Sequence, residues 1–234
     1  MVLAQDCLLP LVAPLAGLFP EGGLRRGTTV LIGPSSPRPS SPGASGATSL
    51  ALALLSGPCT DGSWCAVVGA PDLGLVAAAQ FGIALERLAV VPSPGPTWSA
   101  VTAALLEGFD LVLLRTAGRV SFSDARKLEA RARERRSVLA VMGDSWPGAA
   151  DVRLNVVRGR WSGLEDGCGH LWGRDVEVVA GGRGASSRER RARILFGRPP
   201  LGPAASGLEP VWGEAVLPAG VPSSEVAVGM DIAG

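Results

Sequence analysis

At 234 residues and 47% apolar, the chain is long enough to bury one sizeable α/β core and too apolar for global disorder. Its 22 basic and 21 acidic residues leave a net charge of +1, so the molecule as a whole has no nucleic-acid signature. No apolar run reaches the ~20 residues of a membrane span, and Cys7–Phe19, broken by Pro10, Pro14 and Gly17, does not read as a signal peptide. Cys7, Cys59, Cys65 and Cys168 lack C-x-x-C spacing, and the only histidine, His170, stands beside Cys168 without a second ligand pair. Reduced thiols, no metal site and a cytoplasmic location are therefore expected.

Residues 1–26 read as an apolar lead-in whose Pro/Gly punctuation feeds a first strand at Thr28–Ile32. That strand is apolar throughout, as expected of one buried on both faces of a parallel sheet. Gly33–Gly43 is a Pro/Ser-rich insert, and Thr48–Leu55 reads as a buried helix closed by Gly57-Pro58. A second strand (Trp64–Gly69), a helix (Leu73–Ala84) and a third strand (Leu88–Val91) follow. Thr97 is placed to cap a helix ending near Leu106, and Phe109–Leu114 forms a fourth strand. Ser121 with Asp124 resembles a capping box opening the arginine-rich helix Asp124–Arg136, whose inward face is Ala125, Leu128 and Ala132; Val138–Met142 is a fifth strand.

This alternation through residue 142 predicts a mainly parallel sheet flanked by helices. Val152–Val157, Gly169–Trp172 and Val176–Ala180 then look antiparallel, joined by Gly-rich turns. The organisation expected is a core over 27–182 and, over 183–234, a basic linker that becomes a flexible Pro/Gly-rich tail able to dock a partner.

The turn after the first strand has the plan of a phosphate-binding loop, G-x-x-x-x-G-K-[ST], in which backbone N–H groups cradle phosphates and a lysine reaches the outer oxygens. The nearest frame is Ser41-Pro42-Gly43-Ala44-Ser45-Gly46-Ala47-Thr48. Gly46 and Thr48 fit, serine replaces the first glycine two residues before Gly43, and Ala47 stands where the lysine belongs. Lys127 is the chain's only lysine, so none near a Gly-rich turn can replace it.

Three local patterns, in order, resemble the RecA core over about Leu15–Arg183. Gly22-Gly23-Leu24-Arg25-Arg26-Gly27 resembles the G-G-L-x-x-G that precedes the RecA P-loop. Cys65–Val68 with Ala70, then Phe81-Gly82-Ile83 to Leu88, is similar to its second strand, helix and third strand. Asp151–Leu154 resembles its first return strand. The resemblance implies a RecA-like P-loop fold and an ATPase whose catalytic glutamate falls at Pro71, beside Asp72, and whose metal-supporting aspartate falls at Arg115. With Ala47, three parts of the phosphoryl-transfer machinery are replaced, so no hydrolysis and no nucleotide cofactor are expected. The connections 116–121 and 143–150 are too short for RecA's DNA-gripping loops, and the lead-in leaves no room for its polymerisation segment, so no RecA-type filament is expected.

The shortened, lysine-poor core is most like the actinobacterial ImuA-prime group, related to ImuA and SulA. That resemblance implies an accessory role in damage-induced (SOS) mutagenesis and translesion synthesis. Its partners would be an ImuB-like polymerase homologue and, through it, an error-prone polymerase and the sliding clamp. A SulA-like division inhibitor, and an NTPase using Arg38 in place of the lysine, are the other readings. Candidate DNA or partner contacts are Arg131, Arg135 and Arg136 on the basic helix and Arg188, Arg190 and Arg191 beyond the core; candidate partner anchors in the tail are Val211, Trp212 and Leu217.

Overall fold

The computed structural model describes residues 7–34, 46–116, 118–143, 146–165, 168–197 and 212–215. In chain order these form β1 (Leu8–Pro10), α1 (Ala13–Ala16), β2 (Gly23–Arg25), β3 (Thr29–Pro34), α2 (Ala47–Thr60), β4 (Cys65–Val68), α3 (Leu75–Gln80), β5 (Leu88–Val91), α4 (Trp98–Leu105) and β6 (Leu111–Arg115). The second part adds α5 (Phe122–Arg135), β7 (Val138–Met142), β8 (Val152–Glu165), β9 (Cys168–Gly182), β10 (Arg190–Gly197) and β11 (Trp212–Ala215). Nine strands make one sheet in the order β11-β10-β9-β8-β3-β7-β6-β4-β5. From β8 to β5 all neighbours are parallel, and from β8 to β11 all are antiparallel. The expected α/β architecture, a mainly parallel sheet flanked by helices with closing antiparallel strands, is the one observed.

Helices pack on both faces of the parallel part. β4, β6 and β7 are near-continuous apolar runs because each buries both faces, as parallel crossovers require. On one face α2 packs with the N-terminal segment over Val30, Ile32, Val67 and Leu113. On the other, Leu106 beyond α4 and Ala125, Leu128 and Ala132 of α5 cover Leu31, Val68, Leu114 and Val141. The α5 face is the one its spacing predicts, and its cap forms as expected: the Asp124 N–H donates to Ser121 Oγ at 3.0 Å.

Residues before Gly27 do more than lead in. β1 and β2 pair antiparallel, Leu9 facing Leu24, and Leu9, Leu15, Leu18 and Leu24 are fully buried. Gly57 explains both this packing and the length of α2. A Cβ there would lie 2.6 Å from the Pro10 carbonyl oxygen, so the glycine admits the hairpin's backbone and does not end the helix. α2 runs on through Pro58, whose missing N–H removes one ladder bond only two residues before the helix end at Thr60. α3 is shorter than the expected Leu73–Ala84, because Gly82 turns the chain at φ 76°. Thr97 precedes α4, but its hydroxyl donates to the Pro94 carbonyl and caps nothing.

The antiparallel part departs most from expectation. β8 and β9 form one long hairpin, so Gly169–Trp172 and Val176–Ala180 belong to a single strand. The segment expected as a basic linker includes β10, which pairs with β9 along its whole length. Ile194 is fully buried and Phe196 nearly so, its ring 5.8 Å from that of Phe81. The packed core therefore extends past 182 to Gly197. Alternation of arginine with apolar residues (Arg191, Arg193 against Ala192, Ile194, Phe196) is the signature of a half-buried strand, which a count of basic residues hides. No helix among the described residues is long and apolar enough to cross a membrane.

Candidate functional site

The C-terminal ends of β3, β4 and β6, with the N-terminus of α2, lie where a P-loop fold would build its nucleotide site. Gly46 precedes α2 in the left-handed region (φ 71°) and contributes no side-chain cap. Ala47 is buried and Thr48 exposed. Gly43, and Arg38 of the alternative reading, lie outside the described residues.

Two backbone contacts draw the strand ends together. A Cβ on Gly69, itself at φ 78°, would meet the Arg115 carbonyl oxygen at 2.3 Å, and one on Gly33 would meet the Gly143 carbonyl oxygen at 2.9 Å. The first contact sets the segment after β4 against the end of β6. Arg115 Nη2 there pairs with Asp72 Oδ1 at 2.6 Å. The Arg115 hydrogen bond holds the Asp72 carboxyl below its usual range. Asp72, next to Pro71, is thus engaged by the Arg115 cation at the end of β6.

A residue the sequence reading missed completes this region. Arg174 of β9 is only 4% exposed, and a Cβ on Gly46 would lie 2.9 Å from Val176 Cγ1 and 3.6 Å from the Arg174 guanidinium carbon. The guanidinium stacks over Trp161, 4.8 Å from the ring centroid, and burial lowers its pKa. Its signal was readable: Arg174 falls two residues before Val176, Val178 and Ala180, on the core side of an alternating strand.

A RecA-like fold implies ATP with Mg²⁺, and the residues present do not fit that pair. Ala47 offers no cation to phosphate. Arg115 sets a positive charge at the position where the resemblance would have an oxygen support the metal, and its ion pair engages the Asp72 carboxylate. Among the described residues no group of three or more His, Cys, Asp or Glu side chains converges as a metal site.

The other candidates are scattered. Arg131 pairs with Glu107 at 3.5 Å and Glu134 at 3.6 Å, and Arg135 reaches Glu107 at 4.0 Å. Arg136 ends α5 in the left-handed region (φ 56°). Beyond the β9 turn, Arg190 donates to the Arg188 carbonyl, and Arg191 pairs with Glu189 at 2.8 Å and Glu177 at 3.4 Å. Trp212 opens β11, in register with Phe196. Val211 and Leu217 lie outside the described residues.

Comparison with known proteins gives a family match and a fold match. The sequence model of the MT3502 N-terminal domain family matches residues 17–148. The uncharacterized protein Rv3395c of Mycobacterium tuberculosis (strain ATCC 25618 / H37Rv) is 42% identical over 131 residues, covering 55% of this chain and 64% of its own length. The chain thus spans somewhat under two thirds of that curated relative. Among solved structures the RadB recombinase superposes with a TM-score of 0.51 at 18% identity, over 75% of this chain and 90% of its own, and supports the RecA-like fold. SulA from Pseudomonas aeruginosa aligns over 49% of this chain and 98% of its own at 17% identity, with a TM-score of 0.39 that is too low to bear on the fold.

Proposed function

Taking as premise that the chain belongs to the MT3502 N-terminal domain family, we propose that it is a non-catalytic RecA-like accessory protein of damage-induced mutagenesis. It acts by binding an ImuB-like polymerase homologue and, through it, an error-prone polymerase and the sliding clamp. The observation that carries the non-catalytic part is the Arg115–Asp72 ion pair. A satisfied pair of charges at the ends of β4 and β6 supports this reading, because phosphoryl transfer in a P-loop fold depends on a metal and a positioned water at that end of the sheet. The mutagenesis role rests on the resemblance of the core to the ImuA-prime group, with which this arrangement agrees.

The test has two arms. Purified protein should turn over ATP no faster than buffer, and Ala47→Lys should not confer turnover, because the lysine restores only one of three lost parts. Turnover by the wild type would sink the non-catalytic reading. Co-expression with a polymerase homologue should yield a stable complex, weakened at least tenfold by removal of residues 198–234. The cut belongs after Gly197, since one at Arg193 would remove Ile194 and Phe196 from the core. A truncated chain that binds with full affinity would place docking elsewhere.

A further inference from the structure

Among the described residues the helices that cover the α5 side of the sheet stop at β3, and none of them covers β8, β9 or β10 on that side. Facing residues in an antiparallel pair share a face, so the register shows what the bare side carries. Val176, Val178 and Ala180 of β9 are buried toward α2, so Asp175, Glu177, Val179 and Gly181 point the other way. Opposite these stand Arg153, Asn155, Arg158 and Arg160 of β8, and Arg191, Arg193 and Leu195 of β10.

A β-bulge makes this arrangement. The β8–β9 register shifts between Val156 and Arg158, leaving Val157 without an opposite residue. Without that extra residue, Arg158 and Arg160 would point toward α2 with Leu154 and Val156. With it, they join Arg153 on the bare side, the kind of re-aiming for which bulges are used. The outcome is two basic rails flanking β9, Arg158 and Arg160 on one side and Arg191 and Arg193 on the other. Successive arginines are about 7 Å apart along each strand and the rails lie about 10 Å apart.

The charge is unbalanced as well as ordered. Arg191 and Arg193 have carboxylate partners in Glu177, Glu189 and Asp175. Arg153, Arg158 and Arg160 are exposed and form no ion pair among the described residues. At the end of the face toward α5, Arg126 and Arg153 line a groove of about 620 Å³. Among the described side chains of these strands the bare side carries Asn155, Val179 and Leu195 and no aromatic residue. Phe122 at the groove's α5 edge, with the Arg126 guanidinium 5.8 Å from its ring centroid, is a single ring and not a row on which successive bases could stack. Regularly spaced guanidinium forks match the repeating oxyanions of a phosphate backbone.

We infer that the bare face of β8–β10 is a docking track for the sugar–phosphate backbone of duplex nucleic acid, bound without regard to sequence. The inference goes beyond the polymerase-partner reading and does not depend on it. Full-length protein should bind a short mixed-sequence DNA duplex, followed by fluorescence anisotropy as salt is raised from about 50 to 200 mM. Replacing Arg153, Arg158 and Arg160 together by Gln should weaken binding at least tenfold at the low-salt end. It should also flatten the plot of log affinity against log salt by about 2–3, since each phosphate contact contributes about 0.9. The same charge removed elsewhere (Arg25→Gln, Arg119→Gln, Arg133→Gln) should change neither. Leu195→Arg, an added cation on the track, should tighten binding and steepen the slope, which a misfolded variant cannot do. No duplex binding by the wild type at low salt, an unchanged slope in the triple variant, marked preference for single-stranded DNA, or equal binding of an acidic peptide would each overturn the track. Polymerase binding retained by the triple variant would separate the two surfaces.

Discussion

The parallel and antiparallel parts of the sheet solve the burial problem differently. Between β3 and β7 each crossover lays a helix on one face or the other, so strands such as Leu111–Leu114 and Val138–Met142 are buried on both sides and have no position for a charge. In the antiparallel part the connections are hairpins that cover nothing, so each strand has one apolar face toward α2 and one face free to carry arginine. The two parts meet at Gly46, where Val176 and Arg174 press on the start of α2. The parallel part keeps its strand interiors free of charge and carries its arginines on helices, loops and the end of β6, whereas the antiparallel part sets arginines in register along the strands themselves.

The strongest test of this contrast removes one core side chain from each part. Leu113→Ala, fully enclosed between two layers, should cost about 2–5 kcal/mol in urea unfolding. Ile194→Ala should cost a comparable 2–4 kcal/mol, although β10 lies in a segment whose composition reads as a linker. A loss below about 1 kcal/mol at Ile194 would show that β10 is not part of the packed core.

The junction offers a second, smaller test. Gly46→Ala must hold a left-handed φ, at about 1–2 kcal/mol, and must push its Cβ against Val176 Cγ1. In Val176→Ala the second cost disappears. A double-mutant cycle should therefore give a coupling of about 0.5–1.5 kcal/mol between the two positions. Additivity would mean that α2 and β9 do not bear on each other there.

How legible these features were follows the same division. The parallel strands, the inward face of α5 and its Ser121–Asp124 cap could be read directly, because periodicity and local capping chemistry are properties of short stretches. The reach of α2 through Gly57-Pro58 could not, since that glycine is required by Pro10, which packs against it from a distant part of the chain. β10 was obscured because five arginines between 183 and 193 outweigh the alternating apolar residues beside them. The bulge at Val157 has no sequence signature of its own: it exists only in the pairing with β9, and it decides on which side Arg158 and Arg160 lie. At the ends of β3, β4 and β6 the residues Ala47, Pro71 and Arg115 could be singled out by position in the sequence. That Arg115 forms an ion pair with Asp72, the neighbour of Pro71, is a fact of strand geometry.

That ion pair gives the smallest expected effect. Asp72 and Arg115 are 67% and 32% exposed, so their pairing is screened by water and salt and should contribute no more than about 1 kcal/mol. Its sign with pH is nevertheless fixed. Arg115 holds the native Asp72 carboxyl below the usual value, near 4. Between the lowered native value and the unfolded one, the unfolded chain binds more protons, so stability from this pair rises with pH across that window. The contribution is complete above the unfolded value and is lost as pH falls through the native value. Chemical unfolding of Asp72→Asn beside the wild type should therefore show a small deficit at neutral pH that closes below about pH 4. A deficit that widens on acidification would mean that Asp72 is not held as a carboxylate by Arg115, and the closed charge pair at the ends of β4 and β6 would fall with it.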